Sequence, residues 1–437
     1  MKFKKKRRHQ LMQRIGKNNI DIIASASVCT RNRDVDYPFR QDSDFYYLTG
    51  FNEPDAMAVF IPGREQGEYI LFCREYDEKK ALWEGAHAGL EGATKHYDAD
   101  DAFPITDLND ILPGMLEGKT KVFYPMGRDP ELDHHLLDWI KHIRSQSRTG
   151  LVAPGELIAL EPILHEMRLF KSATEIKLMR TAAEVSAKAH VQAMRLCKPG
   201  LYEYQIEAEL LYHFHQAGLR HVAYPSIVAT GSNACTLHYT DNNSKLKAGD
   251  LLLIDAGAEC DHYAADITRT FPVSGKFTEP QRQLYQLVLD AQAAALEQIK
   301  PGASWIQVHD AAVEVLTKGM VALGLLKGRV KKLIKDEKYK QFYMHRTGHW
   351  LGMDVHDVGD YKINQEWRVL EAGMVLTVEP GIYIPVDGKN IDAKWRGIGI
   401  RIEDDVLVTK QGYEILTSGV PKTIAEIEAL MQQVNHA

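Results

Sequence analysis

The sequence predicts an N-terminal α/β domain over residues 1–168 and, over residues 169–437, an α+β domain built from two similar halves. Three observations support this division. Short β-rich runs alternate with helical segments in the first part, a long amphipathic helix begins the second, and two pairs of helices joined by Lys-Pro-Gly follow. With 437 residues, 45% hydrophobic and 26% charged, the chain can bury both cores without disulfide bonds.

In the N-terminal domain, the runs DAMAVFIPG (55–63) and GEYILFC (67–73) predict strands, and DHHLLDWIKHIRS (133–145) predicts a helix. The chain begins with six Lys or Arg among its first eight residues, in MKFKKKRRHQ. The following LMQRIGKNNID is polar and amphipathic, whereas a secretory signal requires an apolar run of roughly 7 to 15 residues. We therefore expect a solvated first helix.

The second domain begins with a long helix. Ser172 and Glu175 have the spacing of a capping box, which marks a helix start. Apolar residues then recur at helical spacing, at Ile176, Met179, Ala183, Ala187 and Met194.

A duplicated order of elements follows. One pair of helices is joined by Lys-Pro-Gly at 198–200, and a second pair is joined by Lys-Pro-Gly at 300–302. Each pair leads into a β-rich region, at 222–273 and 342–409. Two such halves would enclose a cleft between their sheets.

Composition excludes several classes of partner. The net charge of −6 gives no chain-wide basic field, which argues against nucleic acid. No run along the chain reaches the length of a transmembrane helix, which argues against a membrane. The five cysteines are odd in number and contain no CxxC pair, which favours a reducing compartment. We therefore expect a cytoplasmic protein.

Acidic residues stand where apolar strands end. The run LLLID ends at Asp255, and a hairpin through GAECDHYA would bring Asp266 beside it. The run VLTVE ends at Glu379. In IGIRIEDD, Glu403 and Asp405 share the strand face opposite the isoleucines. Acidic groups on inward faces would repel one another, and each would lose several kcal/mol of hydration unless cations neutralised them.

Taken singly, these residues have plainer interpretations. Glu379 precedes Pro380 and suits a turn, and Asp404 or Asp405 suits an ordinary solvated charge. His238 in TLHYT suits a hydrogen-bonded core histidine. The cluster as a whole favours a metal site.

Two divalent ions would balance the four carboxylates of Asp255, Asp266, Glu379 and Glu403, with one imidazole completing the set. Oxygen donors with one nitrogen favour Mn²⁺, and to a lesser degree Co²⁺ or Zn²⁺. Two ions about 3.5 to 4 Å apart can hold a bridging water and lower its pKa, which provides a hydroxide for hydrolysis.

An ordered series of motifs identifies a family resemblance: YPFRQDSDFYYLTGFNEPDA, MRLFKSATEI, LHYT, LIDAG, DITRTFPV, GHWLGMDVHDVG, VLTVEPGIYI and RGIGIRIEDD. Together they resemble the creatinase and methionine aminopeptidase superfamily, and within it the bacterial Xaa-Pro aminopeptidases. The resemblance implies a pita-bread catalytic domain, and it implies hydrolysis of peptides with proline at the second position by attack of a metal-bridging hydroxide. It also implies a homo-oligomer, either a tetramer or a dimer.

Matching motifs assign the metal ligands. By resemblance, Asp255 in LIDAG holds one ion, while Asp266 in DITRT and Glu403 in RIEDD bridge the two ions. His349 in GHWLG and Glu379 in VEPG would hold the other ion. The resemblance also links Glu379 to proton transfer.

Other roles are assigned in the same way. His238 in LHYT and His356 in DVHD match substrate-handling histidines, with His345 beside them. By resemblance, Arg401 and Tyr383 support the metal site from behind its ligands. Trp83 resembles a tryptophan that approaches the active site from another subunit. The chain departs from the family pattern at MHRTGHWLG, where MHG followed by SHWLG is common, so Arg346 and Gly348 distinguish the loop that carries His349.

Four alternatives remain open from sequence. A prolidase would use the same five ligands on Xaa-Pro dipeptides. Methionine aminopeptidase is disfavoured by the large N-terminal domain, and a metal-free creatinase-type hydrolase by the complete ligand set. A non-catalytic peptide-binding module is disfavoured because such modules are expected to lose ligands.

Overall fold

The computed structural model describes residues 2–432 and divides into two compact units between Met167 and Arg168. The helices of the first unit are α1 (Lys2–Ile15), α2 (Ser43–Thr49), α3 (Glu78–Glu84), α4 (Gly89–Tyr97), α5 (Leu108–Leu116), α6 (Pro130–Ser145) and α7 (Glu161–Leu169), the last of which ends just past the boundary. Its strands are β1 (Asn19–Ala24), β2 (Thr30–Asn32), β3 (Val35–Asp36), β4 (Met57–Phe60), β5 (Tyr69–Cys73), β6 (Asp101–Pro104), β7 (Lys121–Tyr124) and β8 (Glu156–Ala159).

A six-stranded mixed sheet forms the centre of this unit, in the order β6-β5-β4-β1-β7-β8. Strand β1 is antiparallel to β4 and parallel to β7. Both strands expected in 55–73 are confirmed as β4 and β5, and the expected helix is confirmed within α6. Helix α6 begins at an N-cap, where the side chain of Asp129 accepts from the N–H groups of Glu131 and Leu132.

Helix α1 is less solvated than its sequence predicts. Lys4, Arg7 and Arg8 are at most 7% exposed. Arg7 donates to the carbonyl of Tyr47 at 3.0 Å, and Arg8 donates to the carbonyl of Leu48 at 3.1 Å. Both carbonyls belong to the last turn of α2, where cations are favoured. The expectation of a solvated helix is therefore wrong for these three side chains, because they cap and cover α2.

The second unit carries six further helices and thirteen strands among its described residues. The helices are α8 (Ala173–Leu196), α9 (Glu203–Gln216), α10 (Glu279–Leu296), α11 (Trp305–Ala322), α12 (Val330–Lys335) and α13 (Ile424–Gln432). The strands are β9 (His221–Val222), β10 (Ile227–Thr230), β11 (Leu251–Asp255), β12 (Ala258–Cys260), β13 (Tyr263–Ala264), β14 (Thr268–Pro272), β15 (Lys362–Ile363), β16 (Glu366–Trp367), β17 (Val375–Val378), β18 (Gly381–Tyr383), β19 (Gly399–Arg401), β20 (Asp404–Val408) and β21 (Tyr413–Ile415).

The duplicated helix pairs are confirmed as α8 with α9 and α10 with α11. The capping box of α8 forms, and the N–H of Ser172 donates to Glu175 at 2.8 Å. After α8 and α10, Gly200 and Gly302 have φ angles of 98° and 86°. These left-handed conformations explain the glycine in each Lys-Pro-Gly, since a side chain there would be strained.

The strands after each helix pair place acidic residues at strand ends. Strand β11 lies between β10 and β14, with Asp255 opposite Thr268. Between β11 and β14, the segment GAECDHYA forms the hairpin β12–β13, which belongs to a separate three-stranded sheet with β9. In the other half, Glu379 follows β17 and Glu403 precedes β20, and these two strands pair. Within residues 2–432, no helix has the length and apolar character needed to cross a membrane.

Candidate metal centre

The ends of these strands surround a cavity of about 740 Å³ in the second unit. Nine of the residues predicted from sequence line it: Asp255, Asp266, His349, Glu379, Glu403, His238, His345, His356 and Arg401. Tyr383 lies behind the wall and accepts a hydrogen bond from Arg401 Nη1 at 3.0 Å. Trp83 lies in α3 of the N-terminal unit with 86% of its surface exposed.

Three potential metal ligands have donor atoms within 4.8 Å of one another: Asp266, His349 and Glu403. His349 Nε2 lies 3.3 Å from Asp266 Oδ2 and 3.5 Å from Glu379 Oε1. On the other side of the ring, Nδ1 lies 3.0 Å from the carbonyl oxygen of Trp350. A carbonyl only accepts, so Nδ1 carries a proton and Nε2 faces the carboxylates, which is the orientation of a metal-binding histidine.

Tyr224 joins the two aspartates. Its hydroxyl oxygen lies 2.7 Å from Asp255 Oδ1 and 2.6 Å from Asp266 Oδ1. A single hydroxyl proton cannot fully satisfy two carboxylates at these distances. A further positive charge between the aspartates would remove the repulsion.

Arg401, Thr268 and Glu403 form a directed chain of hydrogen bonds. Arg401 Nε donates to Thr268 Oγ1 at 3.0 Å, and Thr268 Oγ1 donates to Glu403 Oε2 at 2.6 Å. Arg401 Nη2 also pairs with Asp255 Oδ2 at 2.6 Å. The buried guanidinium thus connects a carboxylate of one half of the domain to a carboxylate of the other, which fixes both side chains.

The crowded carboxylates resist ionisation. Burial raises the pKa of Glu403 well above its usual range, and the charges of Asp266, Glu379 and Asp255 add to this. Burial also raises the pKa of Asp255, and it raises the pKa of Glu379 to about 7. Cations bound among these side chains would offset the cost of ionising them. Oxygen donors around one oriented imidazole therefore fit divalent ions.

In contrast, the pKa values of His349 and Asp266 shift so as to favour the charged form of each side chain. Burial opposes a charged His349, but the hydrogen bond to Asp266 and the charge of Glu379 raise its pKa to about 9. Burial likewise opposes ionisation of Asp266, but the hydrogen bond with His349 holds the pKa of that carboxyl below its usual value. A proton on His349 does electrostatically what a metal ion would do at the same position.

The remaining histidines have different surroundings. Burial lowers the pKa of His345 to about 3, and Arg401 adds to this effect. Its Nε2 lies 2.8 Å from the hydroxyl of Tyr383, and its Nδ1 lies 2.7 Å from the carbonyl of Arg346. His356 packs edge-on against His349 with ring centroids 4.4 Å apart, and burial lowers its pKa.

Asp404 and Asp405 are not solvated, so that interpretation is wrong. Both are at most 1% exposed. Asp404 pairs with Arg269 at 2.7 Å, while Asp405 Oδ2 accepts from the backbone N–H of Asp266 at 3.0 Å. Both are buried because β20 lies between β17 and β21 in the sheet. Aspartate is usually exposed, so the residue type gave no sign of this burial.

Tyr224 and Thr268 were missed as site residues. The position of Thr268 in ADITRTF, two residues from Asp266 on the same strand face, was a usable signal. Tyr224 stands before Pro225 and carries no charge, so nothing local marks it.

Known proteins resemble this chain over nearly its whole length. The family model described as metallopeptidase family M24 matches residues 177–410, and the model described as aminopeptidase P, N-terminal domain matches residues 4–124. A Xaa-Pro aminopeptidase of Escherichia coli (strain K12) is 43% identical over 98% of this chain and 96% of its own length.

Two solved structures show the same fold. An aminopeptidase of Pseudomonas aeruginosa is 56% identical, covers 100% of this chain and 99% of its own, and has a TM-score of 0.99. A zinc-substituted E. coli aminopeptidase P in complex with product is 43% identical, with coverages of 99% and 98% and a TM-score of 0.96. The expected α/β N-terminal domain followed by a pita-bread domain is therefore confirmed, and this chain belongs to metallopeptidase family M24.

Proposed function

We propose that this protein is an aminopeptidase that releases the N-terminal residue from peptides with proline at the second position. The observation that carries the proposal is the convergence of four carboxylates and one oriented imidazole in a single cavity. Relatives that match nearly the whole chain carry the same activity in their names, which favours an aminopeptidase over the prolidase alternative.

We propose that Asp255, Asp266, His349, Glu379 and Glu403 hold two divalent ions, with Mn²⁺ favoured over Co²⁺ or Zn²⁺ by the oxygen-rich donor set. Asp266 and Glu403 are the proposed bridging ligands. Bound there, such ions supply Lewis acidity, polarising the scissile carbonyl and lowering the pKa of a water.

Residues of the chain then position the peptide. We place the free amine of the substrate at the carboxylate end of the cavity, beside the proposed metal ligands. His238 and His356 also line the cavity, and we assign to them the donation of hydrogen bonds to the carbonyl oxygen as it gains negative charge. We assign to Glu379 the transfer of a proton to the leaving nitrogen, which is the role that the family resemblance gives it.

Proline itself must be recognised by shape, because its amide has no N–H to donate. His345 and Arg401 line the cavity. The hydroxyl of Tyr383 is hydrogen-bonded to both, at 2.8 Å from His345 Nε2 and 3.0 Å from Arg401 Nη1. These three side chains form the proposed wall of the proline pocket. We further propose that residues 169–437 form the catalytic domain and that the protein is cytoplasmic. We also propose that it assembles as a tetramer or a dimer, in which the exposed Trp83 approaches a neighbouring subunit.

The test is metal analysis combined with a peptide panel. Wild type should retain two ions per chain, cleave Ala-Pro-Ala, and leave Ala-Ala-Ala intact, with slower turnover of the dipeptide Ala-Pro. Glu403→Ala should lose both metal and hydrolysis, whereas Glu184→Ala, which removes an exposed carboxylate from α8, should lose neither. Normal turnover by Glu403→Ala in metal-replete buffer would refute the ligand assignment, and preference for Ala-Pro would select prolidase.

A further inference from the structure

At the cavity wall, two cations approach one aromatic ring. Lys362 and Trp367 are opposite one another on the hairpin β15–β16. Lys362 Nζ lies 4.5 Å from the centroid of the Trp367 ring, and Arg346 Cζ lies 5.7 Å from the same centroid. Both Arg346 and Trp367 line the cavity. We call these three side chains the cationic rim.

Neither cation of the rim forms an ion pair within the described chain. Two guanidinium groups line the cavity, and Arg401 is paired with Asp255 at 2.6 Å. Across residues 2–432, neither Arg346 nor Lys362 has a carboxylate within the 4.0 Å of an ion pair. Two acidic side chains, Asp310 and Glu337, interact with Arg346 from beyond ion-pair distance, and Glu337 pairs with Lys340 at 2.7 Å. The rim therefore holds two like charges beside one ring, where an anion would stabilise both.

The rim adjoins the proposed proline wall along the chain. Arg346 directly follows His345, which contacts Tyr383 in the proposed proline wall. The proposed function places the amine of the substrate at the carboxylate end of the cavity, so the rest of the peptide extends away from that end. The indole of Trp367 also offers an apolar face to that part of the chain.

We propose that Arg346, Lys362 and Trp367 form a subsite for a carboxylate downstream of the proline. This subsite rests on the proposed function, and it would make Xaa-Pro peptides with a negative charge after the proline the preferred substrates. The carboxylate comes either from the free C-terminus of a tripeptide or from an Asp or Glu side chain. Because the resembled family commonly has glycine where Arg346 stands, this preference belongs to the present chain.

The experiment compares four peptides that differ in charge at one position. Ala-Pro-Ala against Ala-Pro-Ala-amide tests the C-terminal carboxylate, and Ala-Pro-Glu-amide against Ala-Pro-Gln-amide tests the side chain. We expect KM to be about tenfold lower for the charged member of at least one pair, as for a charge-assisted hydrogen bond. The pair that shows the difference identifies the source of the carboxylate.

Variants locate the effect on the rim. In Arg346→Ala and in Lys362→Ala the ratio of KM values between charged and neutral peptides should fall toward one. Lys188→Ala removes the same charge from an exposed position on α8 and should leave the ratio unchanged. Because each ratio is measured within one protein, a partial loss of folded enzyme does not affect it.

Two outcomes overturn the proposal: equal KM values within both pairs in wild type, or a preference that survives the Arg346→Ala, Lys362→Ala double variant. Failure of the proposed function is a separate result, since it would appear as no cleavage of any of the four peptides. In that case calorimetric binding of Pro-Ala against Pro-Ala-amide still tests the rim, and equal Kd values would overturn it.

Discussion

The guanidinium of Arg401 lies 2.6 Å from the carboxylate of Asp255, between Nη2 and Oδ2. This contact changes the charge balance expected from sequence, which counted four carboxylates against two divalent ions and left Arg401 out. The guanidinium offsets one carboxylate, so two divalent ions would leave one positive charge in excess. Such an excess favours an oxyanion in the cavity and suits the stabilisation of a tetrahedral intermediate.

Replacement of Arg401 tests this balance. Arg401→Met should lower kcat/KM on Ala-Pro-Ala by about 10- to 100-fold, as for other groups that orient metal ligands. It should also lower the free energy of unfolding by about 3 kcal/mol or more, because Asp255 is left buried without its partner. Peptide kinetics and urea unfolding measure both. Arg401→Lys keeps the positive charge but lacks the forked guanidinium group, so its kcat/KM and its stability should lie between those of wild type and Arg401→Met. Wild-type kcat/KM in Arg401→Met would contradict the role.

Tyr224 provides a second test. Tyr224→Phe removes the hydroxyl that lies 2.7 Å from Asp255 and 2.6 Å from Asp266. We expect metal affinity to fall by about 10- to 100-fold, because the aspartates lose the group that orients them. Competition with a chelator measures the affinity directly. Tyr212→Phe, at a tyrosine that is 55% exposed on α9, is the control and should bind metal as wild type does. Unchanged affinity in Tyr224→Phe would show that the hydroxyl does not order the site.

Local sequence was sufficient for much of the fold near the site. The capping box at Ser172 fixed the start of α8, and the alternation in LLLID placed Asp255 on a strand. These two features depend on neighbours within four residues, which is the range that capping and strand periodicity cover. The same alternation put Glu403 and Asp405 on one face of a single strand, whereas in the structure Ile402 and Glu403 lie between β19 and β20, which belong to different sheets.

Features that depend on distant partners could not be predicted. Lys4 and Arg7 resemble solvated charges until α2 supplies the carbonyls and rings that they cover. Asp404 is buried because Arg269 and Lys422 reach it from distant positions in the chain. Tyr224 gains its role only when the end of β11 and the segment before β14 place two aspartates around it. The family resemblance supplied ligand assignments that periodicity alone left open.

A buried glutamate holds the segment that carries His238. Glu203, at the start of α9, is fully buried. Its carboxylate accepts four hydrogen bonds, at 2.7, 3.0, 2.8 and 2.8 Å, from Thr230 N, Asn233 Nδ2, Tyr239 Oη and Ser244 N. The donors flank His238 on both sides, so Glu203 is a positioning residue for that histidine.

Glu203→Gln should therefore impair His238 without touching the substrate. The amide N–H group of Gln would face groups that themselves donate hydrogen bonds, so at least one of those bonds is lost. We expect kcat to fall about tenfold while the amount of bound metal is unchanged. The free energy of unfolding should fall by about 1 to 3 kcal/mol. Hydrogen exchange should become faster in residues 230–244. Glu207→Gln, on the same helix, controls for the change of charge. A purely structural role would lower stability without changing kcat of the folded enzyme, and that result would remove the positioning role.

A pH-dependent effect on stability is expected in the N-terminal unit, at Asp21 on β1. Asp21 is fully buried in the central sheet of the N-terminal unit. Burial raises the pKa of its carboxyl well above the usual range, and the nearby charges of Asp44 and Glu161 add to the effect. Because the folded-state pKa lies above the unfolded value, the protonated group stabilises the fold at low pH. That contribution is lost as pH rises from the unfolded pKa through the folded one.

Asp21→Asn keeps the size of the side chain and removes its titration, so it should be more stable than wild type at pH 8, and the gain should shrink toward pH 5. Each unit of raised pKa corresponds to about 1.4 kcal/mol, so we expect a gain of at least about 1 kcal/mol at pH 8. Urea unfolding of both proteins at pH 5, 6.5 and 8 measures it. Asp110→Asn, at an exposed aspartate in the same unit, should show no such trend. If Asp21→Asn is no more stable than wild type at pH 8, ionisation of Asp21 does not oppose folding, and its carboxyl must gain a compensating interaction in the folded state.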